Sequence, residues 1–466
     1  MKKYFYPCIY IGCLGIQLIY LSACRKSENI KSSAVKPEKV LLDNDGFVNT
    51  NRVTIVHLYK DTVYTLKDPF VRQAGEQLIV DAGTLIKVQV EGQPPAITVE
   101  PGGIIQAIGT RDAPIVFTSN ANPGSQYKNW GGIIIRGKST DNANPPSSGT
   151  DNADFSGAMT YVRIEFAQLT LTAVGSNTIL ENIMVSYTNI MGQSLPTPSF
   201  EIDGGTFNAR NLVSYACGGP ADLYITRGYS GKMQNILALR HPFFGSRGNT
   251  PARTLAGIYI GNNQGNPVSA KPNTNPVLSN ITLIGPNGQN GSPADYSDTV
   301  AVRSAALVTT GNSFFQLRNC LLLAYPEGGW YLDDSLTADH IRYGKAEVAY
   351  SIVQSIDSGR AFFLAPASYT PFASTDFKDF VLAPPFDNRL FANAADFALA
   401  DPFNYNAPDP SPQPGSPVLQ GANFDGPLFN DAFFNKGTQL GALGADNWLR
   451  GWTNFTPLKT NYNFSQ

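Results

Sequence analysis

The chain has 466 residues, with 34 Lys and Arg against 36 Asp and Glu, and only 15 % of its residues are charged. A net charge of −2 without any block of Lys or Arg argues against nucleic-acid binding, so no nucleic-acid partner is expected. The 43 glycines and 33 prolines favour short strands and turns over long helices.

The first residues predict the cellular compartment. Two lysines precede a mostly apolar run that ends in Leu21-Ser22-Ala23-Cys24, the layout of a secretory signal peptide followed by a cysteine. This tetrapeptide resembles the lipobox of bacterial lipoproteins, which implies that residues 1–23 are removed and that Cys24 carries palmitate and other acyl chains. The alternatives are an ordinary signal peptide or a short membrane anchor. Residues 24–46 are expected to form the lipidated N-terminus and a flexible polar tether to the outer membrane.

Five asparagines recur in one local frame, and each opens a short apolar strand of the form Asn-apolar-x-apolar. They are Asn182, Asn211, Asn235, Asn280 and Asn319. The gaps of 29, 24, 45 and 39 residues suit one coil of a solenoid with loops of varying length. A buried amide at one corner can bond to its equivalents in adjacent coils and to turn backbone. The frame predicts an all-β fold, a right-handed parallel β-helix with an interior asparagine ladder.

The repeat continues without asparagine near the N-terminus, where residues 78–86 align with residues 97–105 at an offset of 19. Short strands at this spacing bury an apolar face only when they stack as coils. A sandwich and a propeller are the competing all-β architectures. A propeller would show longer and more even periods, and a sandwich would not repeat an asparagine in frame.

The solenoid is predicted over residues 47–374, with an alternating stretch from Val53 to Asp68 that caps the first coil. The asparagine frame then disappears. Residues 375–466 are expected to form an irregular cover over the last coil and along one flank. The tryptophans of this segment, Trp448 and Trp452, are expected to pack inside it, and a sugar-binding platform is the alternative.

Several segments resemble a group of uncharacterised β-helix lipoproteins from Bacteroidota. They are the turn 130–132 (Trp-Gly-Gly), residues 204–211 (Gly-Gly-Thr-Phe-Asn-Ala-Arg-Asn), residues 228–234 (Gly-Tyr-Ser-Gly-Lys-Met-Gln), the strand 279–285, and Gly441-Ala442 with the tail 448–455. The resemblance covers roughly residues 50 to 460. It implies the β-helix and an envelope location, and it brings no established reaction. Its members are acid-rich just before the Gly-Tyr-x-Gly-Lys motif, whereas this chain keeps only Asp222 there, so no metal or other cofactor is expected.

Many right-handed β-helices cleave acidic polysaccharides, so a polysaccharide lyase or a glycoside hydrolase is the alternative function. Both reactions require carboxylates gathered on one face. Glu201 and Asp203 are the catalytic candidates, because Phe200 and Ile202 would point inward and place both acids toward solvent. Asp203 and Arg227, however, hold equivalent places in successive coils, which predicts an ion pair between them.

The remaining polar residues predict structural roles. Asp333 and Asp334 at a coil corner are a second candidate pair of carboxylates for the enzyme alternative, but a polar turn is the preferred interpretation. Cys217 and Cys320 lie in apolar strands of different coils, so buried free thiols are expected. The preferred interpretation is a lipid-anchored, non-enzymatic envelope protein that presents a binding or structural surface to glycans or envelope proteins. Loops 138–154 and 261–276 would supply specificity. Orientation toward the cell surface or the periplasm stays open.

Overall fold

The computed structural model describes residues 38–42, 54–90, 95–120, 129–146, 149–188, 197–242, 255–287, 304–365, 372 and 374–462. The predicted signal peptide 1–23, Cys24 and most of the predicted tether lie outside these residues. Within them, no helix is long and apolar enough to cross a membrane.

Short strands joined by turns make up most of the described chain. The strands are, in chain order, β1 (Glu38–Leu42), β2 (Ile55–Leu58), β3 (Thr62–Leu66), β4 (Phe70–Arg72), β5 (Gln77–Val80), β6 (Leu85–Val88), β7 (Ile97–Val99), β8 (Ile104–Ile108), β9 (Ile115–Ser119), β10 (Ile133–Arg136), β11 (Gly157–Glu165), β12 (Leu169–Thr172), β13 (Ile179–Ser186), β14 (Phe200–Asp203), β15 (Asn208–Tyr215), β16 (Ala221–Thr226), β17 (Lys232–Leu239), β18 (Leu255–Ile260), β19 (Val277–Ile284), β20 (Ser304–Thr309), β21 (Gln316–Arg318), β22 (Leu321–Tyr325), β23 (Gly328–Leu332), β24 (Glu347–Ala349), β25 (Ile352–Ser355), β26 (Phe362–Leu364), β27 (Arg389–Leu390), β28 (Leu399–Asp401) and β29 (Asp409–Pro412). The described helices are α1 (Ser335–Arg342), α2 (Ser374–Leu382) and short 3-10 turns at Ser358–Arg360, Ala394–Phe397, Pro417–Leu419 and Pro457–Lys459.

The strands form two long parallel sheets. One sheet has ten strands in the order β4-β7-β10-β12-β14-β16-β18-β20-β23-β26, and the other has seventeen strands. From β10 onward the chain alternates between the two sheets, so that every coil adds a strand to each. This arrangement is a parallel β-helix, which confirms the predicted fold class. Strands β28 and β29 form a separate antiparallel pair.

The five ladder asparagines lie at a bend in the seventeen-stranded sheet. Their φ angles range from 55° to 63°, in the left-handed region that asparagine tolerates better than most residues. Strand pairing skips this position: Glu181 pairs with Arg210 and Ile183 with Leu212, on either side of Asn182 and Asn211. Four of the five therefore lie inside bent strands and not, as predicted, at strand starts. The bend divides the sheet into two ladders.

The ladder amides bond from coil to coil at the first three positions. Asn211 Nδ2 donates to Asn182 Oδ1 at 3.1 Å, and Asn235 Nδ2 donates to Asn211 Oδ1 at 2.9 Å. At the next coil the neighbouring Gln234 replaces this contact, because its Nε2 donates to Asn280 Oδ1 at 2.9 Å. The predicted column of asparagine amides is therefore continuous over three coils, from Asn182 to Asn235. In the next coil, the Gln234 amide takes the place of an asparagine in the hydrogen bond.

The C-terminal segment covers one flank of the solenoid. Its contacts with successively earlier coils are, in chain order, Asn423 N to Asn319 Oδ1 at 2.7 Å, Asn435 N to Gln234 Oε1 at 2.8 Å, and Tyr462 Oη to Glu165 Oε1 at 2.6 Å. Gly441 (φ 77°) packs closely against Leu321 of the solenoid, since a Cβ at this position would lie only 2.5 Å from Leu321 Cδ1. Trp452 is fully buried and stacks on Trp448, so these tryptophans pack inside the cover.

Three details of the sequence prediction differ from the structure. Glu38–Leu42, predicted as tether, pair with β3, and Arg389–Leu390 pair with β25 beyond the predicted end of the solenoid. The N-terminal offset of 19 is wrong, since β5 pairs with β8 at an offset of 27 residues. Similar turns with Asp or Glu and Gly follow β5 and β7, which belong to different sheets, and this similarity produced the false register.

The interior is a stack of apolar side chains in register. One column of the ten-stranded sheet consists of Ile133, Leu169, Phe200, Leu223, Ile258, Leu307, Trp330 and Phe362, each at most 4 % exposed. Cys217 and Cys320 are buried free thiols, as predicted. Because side chains alternate along a strand, the residue after each core position points outward. This alternation places the outer row described next.

Candidate functional site

The outer face of the ten-stranded sheet carries a row of equivalent positions, one residue after the core column. The row consists of Ile134, Thr170, Glu201, Tyr224, Tyr259, Val308, Tyr331 and Phe363. The strands β16 to β26 thus bring four aromatic rings together from residues far apart in the chain. All four rings are only partly buried. Val308, which lies in the same row, is buried.

The aromatic rings form two stacked pairs. Tyr224 and Tyr259 have ring centroids 4.5 Å apart and planes that differ by 6°. Tyr331 and Phe363 have centroids 5.2 Å apart and planes that differ by 16°. Such pairs contribute about 0.5–1.5 kcal/mol beyond the burial of their area. Val308, on the strand between the pairs, packs against the flanking tyrosines and carries no ring.

A cleft of about 580 Å³ opens over this part of the row. Its walls combine the aromatic row, the loop 261–276 and the segment that leads into α1. The lining residues are Pro220, Tyr224, Tyr259, Asn262, Gln264, Pro267, Val308, Thr310, Gly311, Asn312, Tyr331, Asp333, Asp334, Ser335 and Leu336. We call this feature the aromatic cleft. The lining mixes aromatic and aliphatic side chains with amide, hydroxyl and carboxylate groups, and a concave surface with both kinds of group can bind a small ligand.

Buried amides hold the loop 261–276 in place at the rim of the aromatic cleft. Asn262 Nδ2 donates to the Pro267 carbonyl at 3.1 Å, and Asn312 Nδ2 donates to the same carbonyl at 3.0 Å. The Gln264 side-chain amide donates to the Tyr224 hydroxyl. Predicted as a specificity loop, this loop does line the cleft.

The other predicted specificity loop, 138–154, braces the first one from behind. Asn263 Nδ2 donates to the Asn142 carbonyl at 2.6 Å, and Asn142 Nδ2 donates to the Pro272 carbonyl at 2.8 Å. The described part of this loop contributes no residue to the cleft lining. Loop 138–154 therefore helps to hold the rim of the cleft in position.

Two acids stand at the end of β23, on the wall of the aromatic cleft. Asp334 is the N-cap of α1, and its Oδ1 accepts from Thr337 N at 2.9 Å. Its Oδ2 accepts from Thr337 Oγ1 and, at 3.4 Å, from Asn312 N. Asp333 Oδ1 accepts from the Tyr331 hydroxyl at 3.2 Å. Burial raises the pKa of Asp333, and the neighbouring Asp334 carboxylate adds to this effect.

The family described as "Pectate-lyase like beta helix domain" matches residues 49–316, which is more than half of the chain. The protein belongs to this family. No curated protein and no solved structure matches it. The match includes the cleft strands β16, β18 and β20, whereas Tyr331 and both wall acids lie beyond it. A pectate-lyase-like β-helix fits a glycan-binding or polysaccharide-active protein.

The predicted catalytic pair lies one coil away from the aromatic cleft of this pectate-lyase-like domain. Glu201 occupies the outer row beside Tyr224, and Thr170 Oγ1 donates to its Oε2 at 3.1 Å. Burial raises the pKa of Glu201, and the Asp203 carboxylate raises it further. Neither acid lines the cleft, so the structure does not join them to the acids of the cleft wall.

The prediction that Asp203 projects to solvent is wrong. Asp203 is 9 % exposed, because Thr226 of the next coil covers it and donates Oγ1 to Asp203 Oδ1 at 2.5 Å. The predicted ion pair is present, with Arg227 Nη1 at 3.6 Å from Asp203 Oδ2. A carboxylate engaged in this way stabilises the contact between coils.

Asp222, the acid that precedes the Gly-Tyr-x-Gly-Lys motif, lies inside the solenoid. Arg240 Nε donates to its Oδ2 at 2.9 Å, and both side chains are fully buried. Among the described residues, no group of three His, Cys, Asp or Glu side chains is placed to hold a metal ion. Asp222 therefore belongs to a buried ion pair.

Sequence reasoning missed the aromatic cleft, although a signal for it exists. Its three tyrosines stand in triplets of the form apolar-Tyr-apolar: 223–225 (Leu-Tyr-Ile), 258–260 (Ile-Tyr-Ile) and 330–332 (Trp-Tyr-Leu). In a strand, such a triplet exposes the tyrosine between two core residues. Three of them in one solenoid indicate an aromatic row on the outer face.

Proposed function

We propose that this protein is a lipid-anchored envelope protein that binds glycan chains in the aromatic cleft without cleaving them. The observation that supports this proposal most strongly is that Tyr224, Tyr259 and Tyr331 line one cleft together with amide and carboxylate side chains. Sugar rings present apolar faces, which pack on aromatic rings, and hydroxyl groups, which bond to amides and carboxylates. The pectate-lyase-like β-helix, whose family description names a polysaccharide-cleaving enzyme for its likeness, supports this ligand class.

The carboxylates of the aromatic cleft favour binding over hydrolysis. A glycoside hydrolase places two carboxyl groups on opposite sides of the scissile bond, and one of them acts on water or on the sugar. Asp334, in contrast, caps α1 with both of its oxygens. Glu201 and Asp203, the alternative catalytic pair, bond to threonines of neighbouring coils. Asp333 can accept hydrogen bonds from a sugar without a catalytic role, and such binding does not require a second carboxylate.

The membrane part of the proposal rests on the sequence around Cys24. Leu21-Ser22-Ala23-Cys24 supports lipidation, and a polar segment follows it before β1 begins at Glu38. Lipid at Cys24 would hold the β-helix at the outer membrane, where polysaccharides of the envelope or of the surroundings are within reach.

A glycan array probed with residues 25–466 tests the binding function. The strongest ligand is then measured by calorimetry against Tyr259→Ala and Tyr331→Ala. Loss of an aromatic anchor costs about 2 kcal/mol, or about 30-fold in Kd. Tyr343→Ala is the matched control, because Tyr343 is 69 % exposed and lies outside the cleft.

Three outcomes decide between the alternatives. Binding that both cleft variants weaken and the control preserves supports the proposal. Absence of any ligand, or equal binding by all variants, contradicts it. New reducing ends or unsaturated products in the ligand would establish the lyase or hydrolase alternative.

A further inference from the structure

Asn312 contacts two parts of the chain that line the aromatic cleft. One part is loop 261–276, and we call it the loop wall. The other part is residues 333–336, at the start of α1, and we call it the helix wall. Asn312 belongs to the same lining and is only 8 % exposed. Its hydrogen bonds to each wall decide how the two walls are held relative to the strands between them.

The side-chain nitrogen of Asn312 is bonded to the loop wall. Nδ2 donates to the carbonyls of Pro267 and Val268, at 3.0 and 3.4 Å. The loop bonds back to the same residue, since Asn273 Nδ2 donates to the Asn312 carbonyl at 3.1 Å. Because a carbonyl oxygen can only accept, these contacts fix which end of the Asn312 amide faces the loop. The oxygen of the amide therefore faces the other way.

The side-chain oxygen of Asn312 is bonded to α1. His340 Nε2 lies 2.8 Å from Asn312 Oδ1, so Nε2 carries the hydrogen of this bond. The imidazole stacks on Phe314 with ring centroids 3.9 Å apart, which holds it in this orientation. At the N-terminus of the same helix, Asp334 Oδ2 accepts from Asn312 N at 3.4 Å. The helix wall is thus attached to Asn312 both at its capping residue and through His340.

The Asn312 amide acts on a ligand through the two walls and not by direct donation. Nδ2 has two hydrogens, and the two loop carbonyls accept both of them. A wall that moves freely in the empty protein must be ordered when a ligand binds, and the free energy of this ordering weakens the affinity. A residue that holds both walls before binding removes that loss.

We propose that Asn312, with His340 as its partner on α1, is a positioning residue that links the loop wall to the helix wall and keeps the aromatic cleft ready for an oligosaccharide. This inference rests on the proposed glycan-binding function and names the residues that shape its site. Loss of the link should release both walls and leave the coils of the β-helix in place.

The first test removes the link and measures affinity. Asn312→Gly deletes the three side-chain bonds but keeps the left-handed backbone, whose φ is 59°. The full chain, in a detergent without a sugar head group, is titrated with cellohexaose, mannohexaose, chitohexaose and hexagalacturonate. For the hexasaccharide that wild type binds best, we expect the affinity of Asn312→Gly to fall by about 10-fold or more. Asn287→Gly is the matched control, because Asn287 also has a left-handed backbone (φ 55°) and lies outside the cleft lining.

Two variants of His340 test the link to α1. His340→Phe keeps an aromatic ring on Phe314 and deletes the bond to Asn312, so the affinity should fall about fivefold, as expected for one hydrogen bond. His340→Gln offers an N–H donor in place of Nε2 and should bind within about twofold of wild type. Circular dichroism and thermal midpoints verify that each variant folds.

Hydrogen exchange of the ligand-free proteins, followed by mass spectrometry, tests the link without any sugar. Asn312→Gly should exchange faster than wild type in residues 261–276 and 335–342, and His340→Phe should do so in residues 335–342 alone. Exchange in the core strands β14, β15 and β17 should stay unchanged in both variants. This pattern distinguishes a positioning role from a general loss of stability, which would accelerate exchange in the core strands as well.

The outcomes separate this inference from the function on which it rests. Equal affinity of wild type and a folded Asn312→Gly variant would overturn the inference and leave glycan binding intact. Equal acceleration of exchange in walls and core strands, or an affinity of His340→Gln as low as that of His340→Phe, would also overturn it. Failure of wild type to bind any of the hexasaccharides would overturn the proposed function. Unchanged exchange of both walls in Asn312→Gly would then overturn the link as well.

Discussion

The buried ion pair of Asp222 and Arg240 supports the two strands that carry the first tyrosine pair of the cleft. Asp222 belongs to β16, and Arg240 Nη2 also donates to the carbonyl of Ala256 in β18 at 2.7 Å. A further bond joins Arg240 Nη1 to the Gly219 carbonyl at 3.3 Å. Asp222→Asn keeps the shape of the side chain and removes its charge, so the guanidinium is left buried without a counterion.

The expected loss follows from the complete burial of both side chains. Removal of one partner of a buried pair costs about 3–5 kcal/mol, because the remaining charge stays desolvated. Replacement of both, as Asp222→Leu with Arg240→Met, removes the charges, leaves the carbonyls of Gly219 and Ala256 without their donor, and removes an acceptor of the Ser214 hydroxyl. At about 1 kcal/mol for each of these three lost bonds, the double variant should lose about 3 kcal/mol. The double variant is therefore expected to be at least as stable as the single one.

Urea unfolding followed by circular dichroism measures these differences, and thermal midpoints check them. Glu100→Gln is the control, since Glu100 and Arg136 lie only 2.6 Å apart but their side chains are 28 % and 41 % exposed. An exposed pair contributes about 0–1 kcal/mol. A loss under about 1 kcal/mol for Asp222→Asn, or a double variant less stable than the single one, would refute this reasoning.

Three further predictions address the fold and the anchor. Burial lowers the pKa of His241 from 6.5 to about 4. The folded protein therefore binds fewer protons than the unfolded chain in this interval. Stability that is complete above pH 6.5 should fall by about 3 kcal/mol toward pH 4. His241→Phe should lack this loss, and equal pH profiles in urea unfolding would count against it. Asn211→Ala should lose about 3 kcal/mol through two amide bonds and a left-handed backbone, whereas Asn211→Gly, which avoids the strain, should lose about 2 kcal/mol; equal losses would contradict the role of the bend. Cys24→Ala should move the protein from the membrane fraction to the soluble fraction, and continued membrane retention would exclude the lipid anchor.

The asparagine frame predicted the β-helix because two requirements act on one position. The bend demands a residue that accepts a positive φ, and the interior demands a side chain that bonds to its equivalents. Few residues meet both, so Asn182, Asn211 and Asn235 remain recognisable despite loops of different length between them. At Asn280 the hydrogen bond to the preceding coil comes from Gln234 and not from an asparagine. Asn280 therefore keeps its place in the sequence pattern, although the direct contact between asparagines ends there.

The aromatic cleft could not be derived in the same way, because it depends on register between coils. Each tyrosine triplet is visible in the sequence, but Tyr259 and Tyr331 lie 72 residues apart in the chain, with β19, β20, β21 and β22 between them. Only the pairing of β18, β20 and β23 shows that Val308 separates these two rings. The burial of Asp203 has a similar origin, since Thr226 covers it from the following coil.

The acids of the cleft wall illustrate a second limit of sequence reasoning. Asp333 and Asp334 were predicted as a polar turn, and Asp334 does cap α1. The short helix itself was not predicted, and the residues at its N-terminus line the cleft together with Tyr331. Local turn chemistry was thus recognised, while its position beside the aromatic row required the three-dimensional fold.

The most direct measurement is a crystal structure of the protein with the oligosaccharide that binds best in solution. We expect density for the oligosaccharide in the aromatic cleft, against the lining residues Tyr224, Tyr259 and Tyr331. An empty cleft, with the ligand bound at Glu201 and Asp203 or on the flank covered by the C-terminal segment, would contradict the proposed site.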